Sequence, residues 1–138
     1  MEWIYKPKSD KQLSDWYRTK VREKKSGFSS YEDFRNWYDN KPKFCHYCGL
    51  TEKESQIIVH KGLLVSNRFP LYGQTTPGVN RGYWLEVDKK NPKEIYSRDN
   101  CELTCYFCNN DKSDVFNETQ YKEFKKDREG YLRKLIKE

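Results

Sequence analysis

Four cysteines fall into two pairs of identical spacing, Cys45-His46-Tyr47-Cys48 followed by Gly49, and Cys105-Tyr106-Phe107-Cys108. A two-residue gap lets both sulfurs of a tight turn face one ion at about 2.3 Å, and two such pairs supply the four thiolates that tetrahedral zinc takes. Between Cys48 and Cys105 lie 56 residues, more than a simple zinc ribbon holds, so a whole substructure is inserted between the halves of the site. The competing readings are two redox dithiols or unrelated buried thiols; the matched spacing favours structural zinc. Four thiolates leave no open coordination position, so such a zinc holds a fold and does no chemistry. Cys101 is left over, sits in an expected strand and reads as a small buried hydrophobe. Chemistry has to come from other residues, and for proton transfer the chain offers only two histidines, His46 in the first knuckle and His60.

Bringing the two pairs together is demanding for so polar a chain. Of its 138 residues 35% are hydrophobic and another 35% charged, which leaves room for one domain with one modest core and calls for a metal or disulfide staple. Aromatic content of 16%, with eleven Tyr, seven Phe and four Trp, argues for a folded chain in spite of a mean hydropathy of -1.16. Lys and Arg outnumber Asp and Glu by 27 to 21, for a net charge of +6 and a pI near 9.0, which favours a polyanionic partner. No apolar run is long enough for a bilayer and the N-terminus has no signal-peptide core, so no membrane association is expected. The expected compartment is the reducing cytoplasm, where paired cysteines are metal ligands before they are disulfides.

The elements that must position these residues are legible in part. Leu13, Trp16, Tyr17 and Val21 recur at helical spacing, and Ser29-Ser30-Tyr31-Glu32 starts a second helix through Phe34, Trp37 and Tyr38. The basic run Arg18 to Lys25 is either a solvated helix end or a phosphate-contacting edge. Ile57 to Val65 suggests a strand, and Ser66 to Asn80 a long loop. Tyr83 to Val87 alternates like a strand, Asn91 to Asp99 is a turn-rich connection, and Cys101 to Thr104 returns antiparallel. Cys108 to Asp114 begins a helix, Asn117 caps another through Tyr121 and Phe124, and Gly130 precedes a last turn with Leu132 and Leu135.

Leu85-Glu86-Val87-Asp88-Lys89, then Asp99-Asn100, then Cys105 through Asp114 resembles the signature of the HNH (ββα-metal) nucleases. With the Cys45/Cys48 knuckle the match covers roughly the middle half of the chain and most resembles the compact zinc-bound HNH restriction-type endonucleases. The resemblance implies an α+β fold: a ββα-metal hairpin-helix core at 41–116 stapled by a four-cysteine zinc site, with a helical extension at 1–40 and C-terminal helices at 117–138, all one domain. It implies that Asp88 and Asn109 are oxygen ligands of a catalytic Mg²⁺ or Mn²⁺, and that Asn100 braces the connecting loop. Where the family has its general-base histidine, directly after the acid, this chain has Lys89. A lysine at its ordinary pKa is protonated and cannot serve as a base, so Lys89 is expected to bind phosphate.

The base must then be sought among His60, which is preferred, His46, Tyr83, Tyr47, a metal-held hydroxide or a substrate phosphate. Plainer roles stand beside these: a histidine satisfied by a carbonyl or solvent, a turn acid at Asp88, a helix N-cap at Asn109. Lys112, three residues further along the helix, is either a phosphate contact or a solvated lysine. The resemblance implies a metal-dependent endonuclease acting on DNA, double-stranded first of all, of restriction or defence type; a two-fold homodimer suits a double-strand cut. The runner-up is an inactive HNH scaffold that binds nucleic acid as a zinc module, and third comes a protein-interaction zinc domain.

Overall fold

Helix α1 (Asp10–Arg22) opens on a reciprocal capping box between Ser9 and Gln12, and α2 (Tyr31–Asp39) on Ser30, whose hydroxyl accepts from the Asp33 amide. Their facing stripes bury Leu13, Phe34, Trp37 and Tyr38. Phe34, fully buried, is ringed by Trp16, Tyr17, Phe28 and Trp37 with centroids 4.9 to 6.0 Å away; truncating such a residue to Ala costs about 3–5 kcal/mol. The structure is a computed structural model that describes residues 3–70, 81–126 and 130–137. The expected loop at 66–80 therefore falls largely, at 71–80, outside the described residues.

The strand expected at Ile57–Val65 is not formed. Residues 57–60 close helix α3 (Glu52–His60), and 61–65 follow it as turn and irregular chain. A short apolar run cannot tell strand from helix by itself; the deciding signal lies upstream, where Thr51 and Glu54 form a capping box. Inside α3, Ser55, Gln56 and Ile58 are buried. An N-terminal strap is tied across this helix: Gln56 accepts from Trp3 Nε1 at 2.8 Å and donates to the Lys6 carbonyl at 2.8 Å, and Trp84 Nε1 donates to the same carbonyl at 3.0 Å.

β1 (Glu86–Lys89) and β2 (Cys101–Thr104) pair antiparallel with Glu86 opposite Thr104 and Asp88 opposite Glu102. The first strand is shorter than its alternating sequence suggests. Tyr83, Trp84 and Leu85 enter it as buried irregular chain, and Leu85 N–H is held at 2.8 Å by the buried Glu52 carboxylate of α3. The helix pair α1–α2 docks on the hairpin connection through its linker, where Gly27 N–H donates to Tyr96 O and Tyr96 N–H to Lys25 O. A side chain at Gly27 would meet Ile95 Cδ1 at 2.8 Å and the Tyr96 carbonyl oxygen at 3.1 Å, so it would crowd this approach. α4 (Tyr106–Lys112), capped by Cys105, lies across β1; α5 (Glu118–Phe124) starts on an Asn117–Gln120 capping box, and α6 (Tyr131–Lys137) packs on α3. Among the described residues no helix is long and apolar enough to cross a membrane.

Candidate active site and zinc staple

Strand alternation puts Glu86 and Asp88 on one face of β1 and Val87 and Lys89 on the other. On α4, Asn109 and Lys112 are three residues apart and share a face. Across the β1–α4 contact Asn109 Nδ2 donates to Glu86 Oε1 at 2.8 Å, and Lys112 Nζ lies 3.3 Å from Asp88 Oδ2 and donates to Lys89 O at 2.7 Å. Asp88 and Asn109 thus lie on the two elements of one contact, each tied across it to a different partner, Asp88 to Lys112 and Asn109 to Glu86. Asp88 is 6% exposed, and its Oδ2 faces Lys112 without making a hydrogen bond. Burial pushes its pKa up to about 6, the Lys112 charge opposing that shift. A buried carboxylate oxygen without a hydrogen bond and an amide oxygen are hard donors of the kind magnesium and manganese take, so the residues present fit a divalent cation.

The remaining site residues are placed as follows. Asn100 is buried and braces the hairpin connection, its Nδ2 donating to Asn91 O at 3.1 Å and Ile95 O at 3.0 Å while Oδ1 accepts from Asn91 N–H at 3.0 Å. Lys89 turns to the opposite face from Asp88, where Nζ donates to Pro92 O at 3.1 Å and lies 5.0 Å from the Tyr96 ring. His60 ends a helix and not a strand, exposed, with its ring 4.3 Å from that of Trp3 in the satellite cluster that holds Tyr83 and Trp84. Lys112 is completely buried, so neither the solvated lysine nor the exposed phosphate contact describes it; its ammonium is spent on Asp88 and the end of β1.

Sequence reading missed Glu86 and Arg81. Arg81 grips Glu86 through Nε at 2.8 Å and Nη2 at 2.5 Å and lies over the Tyr106 ring at 4.6 Å. The available signals were the two-residue spacing from Glu86 to Asp88 on a strand and the three-residue spacing from Asn109 to Lys112 on a helix. A cavity of about 610 Å³ lies elsewhere, lined by Leu50, Phe107, Tyr121 and Tyr131 beside the cysteines, and none of Glu86, Asp88, Asn109 or Lys112 lines it.

The four sulfurs of Cys45, Cys48, Cys105 and Cys108 converge within 4.8 Å of one another, and Cys48 and Cys105 are 3.8 Å apart. A tetrahedron with metal–sulfur bonds of about 2.3 Å has edges of about 3.8 Å, so the cluster fits zinc. Backbone amides already point at the sulfurs: Tyr47 N–H at Cys45 and Cys108 N–H at Cys105, both at 3.4 Å. The first knuckle is closed by Cys45 N–H to Leu50 O and Gly49 N–H to Cys45 O, and Gly49 takes a φ of +78° that favours glycine. His46 N–H to Leu103 O pins this knuckle to β2, and the second knuckle leads directly out of β2, so the staple sets the base of the hairpin. Cys101 is fully buried and stands apart from the four ligands, its thiol pushed up to about 12 by burial.

A β-hairpin followed by a helix that carries oxygen donors, closed by a cluster of four cysteines, is the ββα-metal architecture, and the chain has the HNH fold. One solved structure, that of the rare-cutting HNH restriction endonuclease PacI, superposes with a TM-score of 0.59 at 23% identity over 80% of this chain and 69% of that one. The likeness is one of fold. No protein-family model and no curated protein matches the sequence.

Proposed function

We propose that the chain is a divalent-metal-dependent endonuclease that hydrolyses phosphodiester bonds in DNA, a restriction or defence enzyme by kind. The observation that carries this reading is the buried Asp88 carboxylate of β1, with one oxygen lacking a hydrogen bond, in an HNH fold whose helix α4, packed on that strand, carries Asn109. A magnesium or manganese ion, when bound, supplies Lewis-acid polarisation of the scissile phosphate and stabilises the leaving oxygen. Asp88 and Asn109 hold it. Lys112 gives the buried Asp88 a countercharge and ties it to the end of β1, and Asn100 keeps the connection beyond that end in one conformation. The net charge of +6 favours association with a polyanion. A second copy of the chain related by a two-fold axis would supply the second strand cut.

A second reading, an HNH scaffold that binds DNA and never cuts, draws its support from Lys89. The position after the acid holds an ammonium engaged with Pro92 and Tyr96 on the far face of the strand. Plasmid incubated with zinc-loaded protein, with and without Mg²⁺ or Mn²⁺, separates the two. Metal-stimulated cleavage that Asp88→Asn and Asn109→Ala abolish, with zinc content unchanged, supports the enzyme. Retarded plasmid that stays intact in every metal refutes it in favour of the scaffold.

A further inference from the structure

Glu86 stands two residues before Asp88 on the same face of β1, and both of its oxygens are occupied. Arg81 donates Nε to Oε2 at 2.8 Å and Nη2 to Oε1 at 2.5 Å, and Asn109 Nδ2 donates to Oε1 at 2.8 Å. A carboxylate set against a guanidinium accepts hydrogen bonds and donates none. The end of the Asn109 amide turned toward it has to be the NH₂ group, and Oδ1 is turned away. An asparagine has one oxygen with which to hold a hard cation, and the opposite flip would aim two N–H dipoles at the ion. We propose that Glu86, clamped by Arg81, is a positioning residue of the metal site: it sets the Asn109 amide with its oxygen available to the divalent cation.

This inference rests on the reading of Asp88 and Asn109 as metal ligands. Glu86 is no third ligand of the same kind, because its oxygens already have donors. The clamp is itself seated: the Arg81 guanidinium lies over Tyr106, the first residue of α4, so residue 81, strand β1 and helix α4 are held as one unit. A ligand amide oriented by a carboxylate that is in turn held by an arginine follows the general rule that outer partners fix how a ligand faces its metal.

Glu86→Gln makes the orientation testable. The introduced side chain has one oxygen and one NH₂ for three donors that address both carboxylate oxygens. Whichever way it sits, at least one N–H of Arg81 meets an NH₂, so the clamp loosens and the Asn109 amide is no longer held in one orientation. Loss of an outer partner of this kind weakens metal binding by about 10–100-fold. In an Asn109→Asp chain the sign reverses. Both ends of an aspartate are oxygens, so the Glu86 carboxylate repels it while the amide of Glu86→Gln donates to it. A merely electrostatic role for Glu86 would weaken the metal in both backgrounds.

The experiment is a Mn²⁺ titration of zinc-loaded protein without DNA, followed by the free-ion electron paramagnetic resonance signal. Zinc content and thermal midpoint are recorded for each variant. Wild type is expected to bind one Mn²⁺, Asp88→Asn to lose it, Glu86→Gln to bind about 10–100-fold more weakly, and Glu86→Gln in the Asn109→Asp background to bind more tightly than Asn109→Asp alone. Arg81→Lys, which keeps the charge and loses the fork, should weaken Mn²⁺ in the same direction and serves if Glu86→Gln does not fold. If Asp88→Asn loses the ion while Glu86→Gln or Arg81→Lys binds as wild type does, or if Glu86→Gln weakens binding equally in both backgrounds, the positioning role is overturned and the metal site stands. If wild type and Asp88→Asn bind Mn²⁺ alike, the metal reading falls and takes this inference with it.

Discussion

Lys112→Met tests how the candidate site is held together before any catalytic ion arrives. The lysine is completely buried, with its ammonium 3.3 Å from Asp88 Oδ2 and 2.7 Å from the Lys89 carbonyl. Removing one partner of a buried pair typically costs about 3–5 kcal/mol, because the other charge is left without compensation. Here the loss has an escape, since Asp88 can take up a proton. Its folded pKa of about 6 lies above the ordinary 3.8. In the wild type its contribution to stability is therefore fully present below about pH 4, falls as pH rises toward about 6, and is level above that.

Without Lys112 the shift upward is larger, and the fall continues beyond pH 6 for as long as the folded carboxyl keeps its proton. Two further pH units at about 1.4 kcal/mol each give a ceiling of about 3 kcal/mol on the extra loss between pH 6 and 8. For a domain of this size that is roughly 10 °C in thermal midpoint. At pH 5 the wild-type Asp88 is itself mostly protonated, and the variant should lose the bond to Lys89 O and the longer one to Asp88 Oδ1 without an ion pair, about 1–2 kcal/mol. The assay is urea unfolding of zinc-loaded protein in magnesium-free buffer at pH 5, 6, 7 and 8. Parallel stability curves for variant and wild type across that range, or a loss under about 1 kcal/mol at pH 8, would refute the idea that Lys112 serves as the countercharge of Asp88.

Elemental analysis is expected to find one zinc per chain, lost together with the folded state in Cys45→Ser or Cys105→Ser and retained in Cys101→Ala, because metal binding energy becomes folding energy in a chain with so small a core. Full zinc in Cys105→Ser would dismantle the staple. Asn100→Ala removes three side-chain hydrogen bonds that hold the hairpin connection and should cost about 2–3 kcal/mol, read as a thermal midpoint lower by about 5–10 °C; an unchanged midpoint contradicts the bracing role. His60→Ala should leave the pH profile of cleavage as it is, given its seat on Trp3, and disappearance of one limb would instead make His60 the base.

The hairpin connection shows what local chemistry announces by itself. Asn100 braces it because an amide that both donates and accepts can satisfy a turn-rich stretch, a role implied by its place in the HNH-like signature. The paired cysteine spacing likewise carries the staple, since a two-residue gap is a local geometric requirement of a tetrahedral ion and does not depend on the rest of the fold. The capping boxes at Ser9 and Asn117 are of the same kind, each formed within four residues. The end of helix α3 reads as a strand because its apolar run is short, and Glu52, one of the most buried residues of that helix, is explained only by partners distant in the chain, the Leu85 amide and the Tyr5 hydroxyl.

What the tertiary structure alone decided is which way the charged side chains face. Lys89 and Lys112 are the same residue type, each plausible from its position as a phosphate ligand. Strand alternation sends the first to Pro92 and Tyr96, while the crossing of α4 over β1 buries the second against Asp88. The Arg81–Glu86–Asn109 chain is likewise drawn from three elements and has no spacing of its own. Composition and motif determined that this chain gathers a four-cysteine cluster that fits zinc and offers oxygen donors on a hairpin and a helix. The packing of that helix against the strand, a long-range contact that no local pattern encodes, determined which charge each donor meets.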